Sequence, residues 1–187
     1  MATARAFVAR QQDWIATRLS AIPRPIPFRP GERVPIRGVP HLIVGTGPGR
    51  GAALGLTEGG PVLAVAGDAD AIPGRIRRFL VTEAGRDLRG AVNLYTNWLA
   101  TPARRITVRD TKSRWGSCSS SGTLNFSWRL ILAPPFVLDY LAAHEVAHLR
   151  ELNHSDRFWS LLRDLCPETD AAERWLKRHG AELHRYG

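Results

Sequence analysis

The sequence predicts an α+β fold in which a small mixed or antiparallel sheet packs on a helix carrying His144-Glu145-Val146-Ala147-His148 and on flanking helices. Three observations predict it. Short apolar runs punctuated by glycine and proline fill the stretch from Arg33 to Gly67 and recur from Arg105 to Trp128, as strands do. Longer stretches with apolar residues at helical spacing surround them. The histidine pair lies inside one such stretch, whose apolar side is Leu141, Ala142, Val146 and Leu149.

At 187 residues the chain suits one structural domain overall, with a helix and β-hairpin region over residues 1–70 packed on a core over 71–187. A hydrophobic content of 44% and a charged content of 23% place it among ordinary globular proteins. The formal charge is +9, and arginine supplies nearly all of it because Lys112 and Lys177 are the only lysines. Such a balance permits contact with nucleic acid, yet the arginines never form a run and no nucleic-acid motif accompanies them, so they read as a solvated basic surface. Cys118 and Cys166 match no CxxC pattern and read as free thiols of a reducing compartment. No apolar run approaches the roughly 18 residues that span a bilayer. Arg5, Arg10 and Asp13 interrupt the N-terminus where a secretory signal needs a continuous apolar stretch. A cytoplasmic protein is expected, and nothing sets its oligomeric state.

In chain order, Phe7, Val8, Trp14, Ile15, Leu19 and Ile22 fall near helical spacing and predict a first helix that stops at Pro23. The proline-dense Pro23–Pro27 is a linker. Strands are expected at Arg33–Arg37, His41–Val44 and Pro61–Val65. Gly47, Gly49 and Ala52 fit a G-x-G-x-x-A spacing, but no helix-length pattern and no Lys-Ser/Thr pair follows, so Gly45–Gly51 reads as a hairpin loop. Pro73 opens a long helix to about Leu99, with Ile76, Phe79, Leu80, Glu83, Asp87, Leu88 and Leu94. Arg105–Arg109 and Ser113–Cys118 read as strands, Ser119–Gly122 as a turn and Thr123–Trp128 as the returning strand. Pro134-Pro135 starts the motif helix, expected to run to about Leu152. Ser155 caps a further helix that stops at Pro167, and a last helix starts near Thr169 with Trp175 and Leu176 as core candidates.

Positions i and i+4 of a helix share a face one turn apart, so His144 and His148 can present imidazole nitrogens to one ion. In His-Glu-x-x-His the two histidines bind zinc and the glutamate serves as general base. A left-handed turn at Asn153 is expected to fold His154 back as third ligand. Glu168 and Glu173 compete for that role, and the nearer, neutral imidazole is preferred. The spacing equals that of the metzincins, but Glu151 stands where those have glycine and Met1 is the only methionine, so no Met-turn exists.

Arg114-Trp-Gly-Ser-Cys118, Leu124-Asn125, Trp128-Arg-Leu130, Asp139-Tyr140, the histidine motif, Asn153-His154-Ser155 and Phe158-Trp159 together resemble the YgjP-like metallopeptidase family, related to the SprT-like proteases. The matching core runs from about Arg104 to Leu176. Before it the likeness rests on the long helix and on Gly31–Gly38. The resemblance implies a zincin-like fold, one zinc ion held by His144, His148 and His154, and Glu145 as the catalytic residue. A protein or peptide is the substrate that this implies. A zinc hydrolase of a non-peptide substrate, such as a nucleotide phosphate, and a DNA-associated protease are the alternatives.

Three imidazoles leave a fourth zinc position for water, the layout of a catalytic site. A second donor for the developing oxyanion is usually required, and Arg129, Tyr140, His179, His184 and Tyr186 are candidates. The Arg114–Cys118 strand either offers its edge to an extended peptide, with Arg114, Trp115 and Gly116 as contacts, or is a core hairpin in which Trp115 packs. Arg129 is a further candidate contact. Phe158 and Trp159 are expected in the core.

Overall fold

The computed structural model describes Gln11, Gln12 and residues 24–187. The helix expected over Phe7–Ile22 falls, but for those two residues, outside them. What is described is an α+β fold of two small mixed sheets and four α-helices, and residues of both sheets and all four helices share one buried apolar cluster.

The first sheet holds β1 (Arg33–Ile36), β2 (Val39–Gly45), β3 (Ala52–Thr57) and β4 (Gly60–Val65) in the order β1-β2-β4-β3. Arg37 and Gly38 join β1 to β2 with φ of 53° and 78°, the left-handed pair of a type I′ hairpin turn. β4 runs parallel to β2 and antiparallel to β3. The Gly45–Gly51 stretch therefore joins strands that do not pair, because β4 lies between them. It is an arch over a sheet end, where the sequence suggests a hairpin loop. β3 escapes a sequence reading because it has no buried face: Ala53 to Thr57 are all exposed, so no alternation marks it.

Helix α1 (Ile72–Trp98) carries Pro73 in its first turn and buries Ile76, Leu80, Ala84, Leu88, Val92 and Tyr95 along one face. Leu94, expected with that set, lies on the solvent side. Arg37 ties the first sheet to this helix through Asp87 at 2.7 Å and buried Glu83 at 2.8 Å. These carboxylates hold the Arg37 guanidinium firmly protonated.

The second sheet is β5 (Arg105–Arg109), β6 (Gly116–Cys118) and β7 (Thr123–Ser127), ordered β5-β7-β6, with β5 parallel and β6 antiparallel to β7. β6 is shorter than expected because the Thr111 hydroxyl donates to the Arg114 carbonyl and curls the chain before Gly116. Leu124 and Phe126 turn one face of β7 fully into the core. Trp128 does not extend β7 but opens a 3-10 helix (Trp128–Leu132), buried throughout and capped by the Ser127 hydroxyl. Helices α2 (Pro135–Ala147), α3 (Asp156–Leu165) and α4 (Thr169–Leu183) follow, and the Ser155 hydroxyl caps α3. Past α4 the chain returns to residue 26, where the Ile26 N–H donates to the Arg185 carbonyl at 2.7 Å and the Gly187 N–H to the Ile26 carbonyl at 3.1 Å.

Gly38 meets two constraints together. Its φ is 78°, and a Cβ there would lie 3.1 Å from the Pro134 ring that precedes the motif helix. Gly38→Ala is expected to cost about 1–3 kcal/mol, read as a lower denaturation midpoint with an unchanged slope in urea.

Candidate metal centre

Helix α2 is buried on nearly every side, with Val137, Leu138, Leu141, Ala142, Ala143, Val146 and Ala147 all in the core. Nothing on it except the motif reaches toward solvent in its last turns. The helix ends at Ala147 with His148 as its cap, earlier than the expected Leu152. Leu149 and Arg150 donate their N–H groups to the Val146 and Ala147 carbonyls, so the chain tightens into a final turn. Arg150 anchors this turn to the end of α1 through the Leu99 carbonyl and the Thr101 hydroxyl. The helical turn closes over residues 148–150, and His154 lies in the irregular stretch 151–155 that leads to α3. Asn153 is not left-handed: among the described non-glycine residues only Arg37 and Ala100 have positive φ.

The three imidazoles converge. Their candidate ligand atoms all lie within 4.8 Å of one another, and the His144 and His154 Nε2 atoms are 3.1 Å apart. Phe158, with no exposed surface, lies against all three rings, at 4.5 Å from His148, 4.7 Å from His154 and 5.0 Å from His144. Trp159, half-buried, stacks on His154. Phe158 is thus the core residue the sequence predicts, and it also sets the planes of the rings.

Hydrogen bonds behind the rings fix which nitrogens face inward. The Glu151 carbonyl is 2.9 Å from His148 Nδ1, and a carbonyl only accepts, so Nδ1 carries the proton and Nε2 keeps its lone pair. The Tyr140 hydroxyl donates to Glu173 Oε1 at 2.9 Å, so its oxygen is left to accept from His144 Nδ1 at 3.3 Å. His144 Nε2 is then also a bare lone pair. Lone pairs facing one another across this gap are the donor set of a divalent cation, and the residues fit one. Burial lowers the His144 pKa to about 3, reinforced by His148 and His154, and lowers that of His148 as well, which keeps both rings in the neutral form a metal requires. Glu173, weighed as a rival ligand, instead holds Tyr140.

Glu145 is buried, and its Oε2 has no hydrogen-bond partner. Burial raises its pKa to about 8 against the opposing effect of exposed Arg114. Its carboxyl group rests on Gly116 of β6, where a Cβ would lie 2.8 Å from Glu145 Cγ and Cδ.

The other expected site residues are distributed as follows. Trp115 stacks on His184 at 4.8 Å and presses on Gly180 of α4, so it packs rather than projects. Arg129 is buried and donates to Asp110 at 3.1 Å and to the Leu183 and Tyr186 carbonyls at 3.0 and 2.6 Å, which makes it a clamp on the C-terminal segment. Among the oxyanion candidates, Tyr140 stands behind His144, His179 lies 3.8 Å from Glu182, and His184 lies under Trp115. The pairing of Tyr140 with Glu173 is absent from the sequence reading. Tyr140 precedes His144 by one helical turn, so its half of the pair was legible in spacing; Glu173 comes from another helix and was not.

Residues 1–179 match a family model described as YgjP-like, metallopeptidase domain. Two solved metallopeptidase zymogens are similar to this chain. Abylysin of Pyrococcus abyssi is 21% identical, with a TM-score of 0.44 over 53% of this chain and 97% of its own. Jannalysin of Methanocaldococcus jannaschii is 23% identical, with a TM-score of 0.44 over 49% of this chain and 88% of its own. Comparison with curated proteins returned no match.

Two substitutions separate the parts of this centre. Tyr140→Phe is expected to weaken metal affinity by about 10–100-fold, measured by competition with a chromophoric chelator, because His144 loses the group that orients it. Gly116→Ala is expected to leave metal content unchanged while hydrolytic turnover falls, because the new methyl group displaces the Glu145 carboxyl group and no histidine. Unchanged turnover in that variant would refute the role given to this contact.

Proposed function

We propose that this chain, which belongs to the YgjP-like metallopeptidase family, is a zinc-dependent endopeptidase with His144, His148 and His154 as ligands and Glu145 as general base. The observation that carries the reading is the convergence of three imidazoles, with a buried carboxyl oxygen that has no partner on the residue after the first of them. Zinc in that triad supplies a Lewis acid that polarises a scissile carbonyl and brings the pKa of a water toward about 7.

The protein's own part is orientation and proton handling. Tyr140, the Glu151 carbonyl and Phe158 hold the rings, so the ligands need little rearrangement. Glu145 accepts the proton of the attacking water at Oε2 and delivers it to the leaving amine. Its burial suits both duties, since a carboxyl group with a pKa near neutrality gives up a proton about as readily as it takes one. β6 is an edge strand of its sheet, and its free edge next to Glu145 suits an extended peptide that adds as a further strand. Arg114, Trp115 and Gly116 then bear on the substrate mainly through backbone, with Trp115 fixing the strand from behind. Arg129 contributes by anchoring the C-terminal segment.

The same reading treats residues 1–70 as an annex on a catalytic core of 71–187, joined by the Arg37 ion pairs to α1. Two free thiols support a reducing, cytoplasmic setting. Among the described residues no helix is long and apolar enough to cross a membrane.

The test is cleavage of an unfolded protein by the zinc-loaded chain beside Glu145→Gln. Both are expected to bind one zinc ion, with turnover lower by about 10²–10⁴-fold in the variant. Full activity in the variant sinks the mechanism, and zinc-loaded wild type that cleaves nothing sinks the endopeptidase reading.

A further inference from the structure

We propose that the cleft between the Gly45–Gly51 arch, strand β3 and the first half of α1 binds single-stranded nucleic acid through its phosphate backbone. This goes beyond the hydrolytic reading and does not rest on it. The cleft has a volume of about 660 Å³ and is lined by Arg50, Arg75, Arg78, Phe79, Thr82 and Arg86, with Glu83 at its base. Four guanidinium groups thus face one carboxylate. That carboxylate is buried and already engaged by Arg37 at 2.8 Å and Arg86 at 2.9 Å, so it repels an incoming anion weakly.

The arginines look scattered in sequence, and the helix gathers them. With 3.6 residues per turn, Arg75, Arg78, Arg86 and Arg89 fall within about 80° of one another and form one stripe along α1, with Thr82 among them. Arg50 reaches the same cleft from the arch. Arg75 holds the arch in place by donating to the Gly49 carbonyl at 2.7 Å and to the Ala66 carbonyl. Arg50 and Arg78 are exposed, and neither has a carboxylate within ion-pair distance among the described residues. Their charges are therefore available to a ligand.

The chemistry selects the partner. Guanidinium forks match phosphate oxygens in pairs. Half-buried Phe79 lines the same cleft and offers an aromatic face among the charges. A basic groove that follows a backbone, with an aromatic side chain on which a base stacks, is the recognition mode of single strands. An acidic peptide has no base to stack on Phe79, and a flat membrane surface does not enter a cleft.

The experiment is fluorescence anisotropy of the full chain with a labelled single-stranded DNA of about 20 nucleotides, from roughly 50 to 200 mM salt. The double reversal Arg50→Glu/Arg78→Glu is compared with Lys177→Glu/Arg178→Glu, which changes net charge equally on exposed positions of α4. The expected result is at least tenfold weaker binding in the cleft variant, a salt slope reduced by about 1.4 for two lost phosphate contacts, and little change in the control. Phe79→Leu, which keeps the apolar packing, is expected to weaken binding several-fold without altering the salt slope. Equal losses in the two reversals would reduce the effect to net charge and overturn the site. So would no binding by wild type at the lowest salt, no effect of Phe79→Leu, or displacement of the DNA by polyglutamate or anionic vesicles as effective as that by unlabelled DNA.

Discussion

The centre depends on how closely a strand approaches a helix. α2 is already enclosed by apolar neighbours, and its second motif residue is a carboxylic acid that must also go inside. Gly116 makes this feasible, because only a residue without a side chain lets β6 lie against Glu145. The contact excludes water from the acid and places an unpaired strand edge beside it. Burying a carboxyl oxygen without a partner is costly in a finished protein, and such atoms concentrate where a ligand or substrate completes them.

The histidines show a related balance. Burial opposes charge on the His144 and His148 imidazoles, and neighbouring imidazoles oppose it further, so these two rings stay neutral. The inward lone pairs of these two rings suit a divalent cation. Tyr140 and the Glu151 carbonyl act from the outer side, where each fixes a tautomer, and Phe158 acts from below by packing. The cluster is thus built by polar contacts behind the imidazoles and apolar contacts under them.

The fold was legible where one physical signal dominated. Pro73, the spacing of Ile76, Leu80 and Leu88, and the Ser155 cap each have a local cause, and these elements appear where the sequence places them. β3 was illegible because it buries no face, and Leu94 misled because a helix of 27 residues carries apolar residues beyond its core stripe. The end of α2 was misplaced for a different reason. Its stop is imposed by Arg150 docking on the end of α1, a tertiary contact with no local signature. That His144 and His148 share a face was readable from spacing, and His154, preferred over Glu168 and Glu173, does join them. The environment of Glu145 was not readable, because Gly116 is remote in sequence and its value lies in what it lacks.

The C-terminal segment has a consequence for how the protein is made. Trp115, which backs the edge strand, packs on Gly180 and His184, and buried Arg129 depends on carbonyls of Leu183 and Tyr186. Gly180, Leu183, His184 and Tyr186 all leave the ribosome after the histidine motif does. While the chain is nascent, Arg129 has Asp110 alone and Trp115 has no surface to lie on, so the edge strand cannot settle. Domains fold as units as they emerge, and here the unit closes only when its last helix arrives. The edge strand beside Glu145 is therefore backed only once α4 has formed.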